Sequence, residues 1–202
     1  MLPQNPIMVN SHNTVLDGQH RLEAAKLLGY PIYYIEVEIG SLHDVQILNI
    51  NTRRWTVEDF LESFIATGKE DYQYLKDFSA DSDYSVSICM TLLAGGSMNT
   101  LKGGILKDFR NGDFKARHKE YATTLLRKVQ DLNKYLDEGV AKDRAFLRAL
   151  EKTYTVIPHD KLIDKFNTSE WRITRQASVR SYIRLLEDVV SWRSRSLTRI
   201  GR

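Results

Sequence analysis

Cysteine is nearly absent from this chain. Cys89 is the only one in 202 residues, so no internal disulfide can form. Unpaired thiols suit a reducing compartment, and an intracellular, cytoplasmic setting is expected. Long apolar runs are missing too. Ile32 to Ile35 and Ile88 to Ala94 fall far short of the roughly 20 residues that span a bilayer. No membrane partner is therefore expected. Met1-Leu2-Pro3-Gln4-Asn5 has no basic n-region and no apolar h-region, so no signal peptide is expected. His12, His20, His43, His118 and His159 lack zinc-site spacing, which predicts no metal site of that type. There is no Ser-His-Asp signature, Walker loop, internal repeat or low-complexity segment.

What is present is globular in character: 42% hydrophobic, 27% charged and 10% aromatic residues. The net charge of +3 hides an asymmetry. Residues 1–100 carry 6 Lys+Arg against 13 Asp+Glu, whereas residues 101–202 carry 23 against 13. A basic second half points to a polyanionic partner; its bland counterpart is a solvated charged face. Lys102, Lys107, Arg110, Lys115, Arg117, His118 and Lys119 cluster around Asn111-Gly112-Asp113. The C-terminus adds Arg172, Arg175, Arg180, Arg184, Arg193, Arg195, Arg199 and Arg202, and Trp192 to Ser196 has the alternation of a backbone-tracking arm. DNA is the partner this pattern suggests, with Lys102, Lys107, Arg110, Lys115, Arg117, Arg193, Arg195 and Arg199 as candidate contacts.

The local patterns predict an α+β chain. Pro6 to Val9 and Thr14 to Leu16 are β-prone and flank the turn Ser11-His12-Asn13. A helix follows Gly18, with Leu22, Ala25 and Leu28 on one face and Gly29 as its C-cap. Pro31 to Val37 is the strongest strand. Ser41 starts a predicted helix to about Asn51. Thr56 and Asp59 form a partial capping box. Beyond it, helices are predicted at 57–67, 70–78, 85–94, 98–110, 115–137, 142–153, 159–166 and 176–192. Two domains are expected, 1–55 and 56–202, with a possible helix-turn-helix at 72–94. That motif's second helix has no Arg, Lys, Asn or Gln, the usual base readers, and a buried core helix is favoured there.

The chemistry concentrates in Asp17-Gly18-Gln19-His20-Arg21. A glycine between a strand and a helix lets an anion approach backbone N–H groups at a positive helix end. Arg21, one turn on, can fork onto a phosphate. Asp17 can hold the turn, orient Arg21 or bind a metal. His20 can donate to phosphate or move a proton. Gln19 can read a base or amide edge. On spacing alone this remains a weak signal, because Asp-Gly is common in ordinary turns.

Val15 to Gly29 strongly resembles the G-x-x-R box of ParB-like domains, in the form found in the DGQHR branch of the ParB/sulfiredoxin superfamily. Asn5-Pro6-Ile7-Met8-Val9-Asn10 is similar to the family's "nPIiV" strand, and Pro31 to Val37 to the strand after the helix. The resemblance covers roughly residues 5–60 and lacks the family's first strand and helix. It implies a small ParB/sulfiredoxin-like N-terminal unit before the helical domain. It also implies phosphate contacts from Gly18, Gln19 and Arg21, to a nucleotide such as CTP, with magnesium, or to DNA. Sulfiredoxin's catalytic cysteine is replaced here by Gln19, which argues against that chemistry. Asn51 and Arg54 echo the family's second box, but Ile50 stands where its glutamate would be, which puts magnesium-assisted hydrolysis in doubt.

Three functions stay open on sequence. One is a ParB-like DNA-binding protein of phage or mobile-element type, with a homodimer as a further expectation. The second is a nucleotide hydrolase or nuclease using Asp17 and His20 catalytically. The third is a protein-interaction regulator with a vestigial box.

Overall fold

The computed structural model describes residues 6–37, 55–100, 102–194 and 197–200, with the side chain of Lys102 excluded. The chain divides into two compact units, 1–59 and 60–202. Among the described residues it is mostly helical, with one small three-stranded sheet.

In the first unit, β1 (Ile7–Val9) is the central strand. It pairs antiparallel with β2 (Val15–Asp17) and parallel with β3 (Tyr34–Glu36). Asn10 builds the hairpin turn: its side-chain oxygen accepts from the His12 N–H (3.0 Å) and the Thr14 N–H (2.8 Å). That is an Asx turn, which is why a short polar residue stands there. Helix α1 (Gln19–Leu28) starts from Gly18 and ends at Gly29, both in the left-handed region. The unit's core is thin. Ile7 and Val9 are buried, but α1 buries none of its residues.

Helix α2 (Val57–Ala66) starts at a completed capping box. The Thr56 N–H donates to Asp59 (2.8 Å), and the Asp59 N–H donates back to the Thr56 hydroxyl (3.2 Å). The shorter Asp thus performs the role usually taken by Glu. Then follow α3 (Glu70–Ser82), α4 (Val86–Gly95), α5 (Lys102–Asn111), α6 (Lys119–Leu132), a 3-10 turn (Asn133–Tyr135), α7 (Arg144–Tyr154), α8 (His159–Ser169) and α9 (Val179–Ser191).

Three features differ from the sequence expectation, the last two for a tertiary reason. The helix predicted at 70–78 runs on to Ser82 and stops only at Asp83 (φ 57°). The helix predicted from 98 starts at Lys102, because Ser97, Met98 and Asn99 are held in a turn by the buried Glu151 carboxylate. Residues 113–118 are not helical. Phe114 and Ala116 are buried between exposed Lys115 and Arg117, and the Ala116 N–H donates to Asp71 (3.1 Å). The predicted helix at 41–51 lies outside the described residues.

Helix α4 is the centre of the second unit. Ile88 to Leu93 are all buried in sequence, so it is apolar all round rather than amphipathic. This removes the helix-turn-helix reading of 72–94. Two helices and a short turn are there, but the second cannot enter a DNA groove while it is enclosed by its neighbours. Beside it, Tyr72 joins an aromatic cluster with Phe64, Phe109 and Phe114. Its hydroxyl donates to the Phe109 carbonyl (2.7 Å), so the one polar atom inside the cluster is satisfied. Gly112 (φ 82°) closes over this cluster; a Cβ there would lie 2.6 Å from the Phe64 ring.

Candidate functional site

The Asp17-Gly18-Arg21 segment forms a compact turn. Gly18 has φ 94° and is the N-cap of α1, with no side-chain cap hydrogen bond. Only glycine adopts this angle without strain. The Arg21 guanidinium folds back across the glycine, where an added Cβ would lie 3.0 Å from Nη2. The same Nη2 donates to Asp17 Oδ2 at 2.6 Å. Asp17 thus orients Arg21, one of the roles open to it from sequence. Both groups are partly exposed, at 23% and 30% of their side-chain surface. Gln19 and His20 are exposed on the first turn of α1. The turn therefore brings a glycine backbone, a helix start and an oriented guanidinium within one small volume. Such a combination can hold an oxyanion.

The second-box residues Asn51 and Arg54 lie outside the described residues. The described DNA candidates lie on several elements of the second unit. Lys107 and Arg110 are exposed on α5, with the Arg110 guanidinium 5.9 Å from the centre of the Phe60 ring. Lys115 is paired with Asp71 at 3.0 Å. Arg117 is exposed on the extended segment before α6. The backbone of Lys102 opens α5. Arg193 is exposed with φ 53°, and Arg195 lies outside the described residues.

Residues 197–200 are held against α9. Ile200 is buried, and its N–H donates to Glu187 on α9 (2.8 Å). Arg199 pairs with the same carboxylate at 3.3 Å. The Thr198 N–H donates to Ser191 (2.9 Å). Trimming this segment would open part of the core.

Two arrangements were not visible in the sequence. Arg148 and Lys152 on α7 line one groove with Arg180 and Arg184 on α9. Their signal was the four-residue spacing within each helix, which carries no information about which helices meet. The second arrangement is Asp131–His159–Tyr154. His159 bridges the Asp131 carboxylate (3.1 Å) and the Tyr154 hydroxyl (2.9 Å). Burial, and secondarily the Asp131 charge, push the Tyr154 hydroxyl well above its ordinary value. That is the opposite of an activated nucleophile, and the trio fastens α8 to its neighbours.

Among the described residues, no cluster of His, Cys, Asp and Glu has metal-binding geometry, and no helix is long and apolar enough to cross a membrane. In comparisons with protein-family models, curated proteins and solved structures, none matches the chain.

Proposed function

We propose that this chain is a ParB-like nucleic-acid-binding protein whose Gly18 turn holds a phosphate group, of a nucleotide such as CTP or of the nucleic acid itself. One observation carries the reading. Gly18 starts α1 in the left-handed region, and Arg21, aimed by Asp17, lies directly across it. A guanidinium fixed beside exposed backbone at a helix start favours an oxyanion through both charge and fork geometry. The basic second half supplies the wider attraction to a polyanion. Asp17 Oδ2 is engaged with Arg21, so the carboxylate acts here as an orienting group rather than a general base.

The test is calorimetric titration of the full chain with inorganic phosphate and with CTP, with and without magnesium. Arg21→Ala should weaken binding about 10-fold to 100-fold, the scale of a lost charge-assisted hydrogen bond. Asp17→Asn should weaken it less, because the guanidinium remains but is no longer held. Binding unchanged in Arg21→Ala, or no binding of either ligand by the wild-type chain, would remove the phosphate role of this turn.

A further inference from the structure

Helices α7 and α9 pack against each other, and a groove of about 690 Å³ opens between them. Arg148 and Lys152 stand on the α7 side, Arg180 and Arg184 on the α9 side, and Arg199 at the returning tail. Within each helix the charges are four residues apart, so they form a stripe with a step of about 6 Å along the axis. Val179, Ile183 and Ile200 supply the groove's apolar surface.

The charge in this groove is not balanced from within. Glu187 is the one carboxylate among its lining residues, and it already accepts from the Ile200 N–H and from Arg199. Among the described residues, no carboxylate lies within ion-pair distance of Arg148, Lys152, Arg180 or Arg184. Arg148 Nε donates to Asn99 (3.2 Å), which orients that guanidinium without neutralising it. Helix α9 opens with Arg180 and has no acidic residue in its first turn; α7 opens with Arg144 and has none either. Cations at a helix start oppose the helix dipole, and like charges across a groove repel. Of the four, Arg180 stands at a helix start, and all four repel one another around the groove, which lowers stability unless an anion joins them.

We propose that the α7–α9 groove carries the phosphate backbone of a nucleic-acid strand, with Arg148, Lys152, Arg180 and Arg184 contacting successive phosphates; this rests on the nucleic-acid reading above. The groove is concave, so a flexible polyphosphate chain can follow charges that a flat bilayer surface cannot reach together. The apolar patch at Val179 and Ile183 offers a place for the sugar edge between phosphates. Base identity is not read here, because phosphate contacts position a strand without specifying its sequence.

The experiment measures affinity of the full chain for a random duplex and a random single strand across a salt series. Parallel arms use inorganic phosphate and phosphatidylserine vesicles. In Arg180→Gln/Arg184→Gln the slope of log K against log salt should fall by about 1.8 on duplex or about 1.4 on single strand. The strand form whose loss reaches its own expected value is the one the groove holds. Between 50 and 200 mM salt the variant should then lose roughly ten-fold less affinity than wild type. Arg180→Lys/Arg184→Lys keeps the charges and should keep the slope, which separates charge from fold. Lys134→Gln/Lys161→Gln, two exposed lysines outside the groove, should leave the slope unchanged. If wild type binds nucleic acid but the glutamine pair leaves its slope unchanged, the groove is excluded while the nucleic-acid function stands. If wild type binds no nucleic acid at low salt, or binds only vesicles or free phosphate through these arginines, both readings fall.

Discussion

The two units of this chain carry different burdens. Among its described residues, the first holds the chemically distinctive motif on a slight scaffold: three short strands, two buried core residues and a helix that buries nothing. Its large apolar side chains are well exposed, Leu27 at 87% and Tyr34 at 60%. The second unit has no distinctive motif but a continuous core, with Leu92, Phe146, Leu147 and Leu186 fully enclosed. The contrast teaches that a motif and a core can be separate properties of one chain. A turn such as Asp17-Gly18-Arg21 is determined locally, by one backbone angle and one ion pair. A helical core needs many long-range contacts to exist at all.

The largest effect that can break this contrast is a core truncation. Leu147→Ala should destabilise the chain by about 3–4 kcal/mol in urea unfolding, because a fully enclosed leucine leaves a cavity. Leu27→Ala should change stability by less than about 0.5 kcal/mol, since that side chain is mostly in solvent. Equal losses in the two variants would mean that the first unit hides a core of its own.

Next comes Glu151. It accepts from Ser97, the Met98 N–H, Asn99 and the Tyr121 hydroxyl, and it holds the whole turn between α4 and α5. Glu151→Gln should cost about 2 kcal/mol, the scale of charge-assisted hydrogen bonds lost from a buried acceptor. Hydrogen exchange should speed up first at residues 97–100.

A smaller effect is expected in the first unit. Gly18→Ala forces a side chain into φ 94° and against the Arg21 guanidinium, at a cost of about 1 kcal/mol. Exchange should rise in α1 while α4 and α7 keep their protection. Loss of protection in α4 would show that the two units unfold together.

The smallest effect is pH-dependent. Burial pushes the Asp71 carboxyl up, but hydrogen bonds from Lys115 and the Ala116 N–H, with the Lys115 and Lys119 charges, outweigh it and hold it below its ordinary value. The folded value is the lower one, so the contribution is present above the unfolded value of 3.8 and is lost as pH falls through the folded value. Asp71→Asn should therefore lose about 0.5 kcal/mol at pH 7, and the gap to wild type should close in acid. A gap that widened below pH 3.8 would reverse the assigned sign.

How much of this was legible in the chain varies with the range of the interaction. The three strands, α1 and its Gly29 cap stand close to where local pattern puts them, because propensity, turn residues and glycine angles act within a few positions. The Thr56–Asp59 capping box is equally local. The late start of α5 and the extended 113–118 segment were not legible. Glu151 lies more than fifty residues from the turn it holds, and Asp71 more than forty from Ala116. Helix α4 shows the limit most plainly. Its run of apolar residues announces burial, and its lack of base-reading side chains is visible in the letters, but only the packed neighbours exclude it from a DNA groove.

The candidate sites divide the same way. The sequence by itself determined that a glycine stands at the strand-to-helix turn with Arg21 one helical turn on, because glycine permits a sharp turn and the helix repeat brings the third residue back to the same side. It also determined that the basic charge falls in the second half. Only the tertiary structure decided that Arg148 and Lys152 line one groove with Arg180 and Arg184, and that Arg199 and Ile200 pack back onto Glu187. The physical reason is that charge repels or attracts through space, whereas the order of residues sets distance only along the chain.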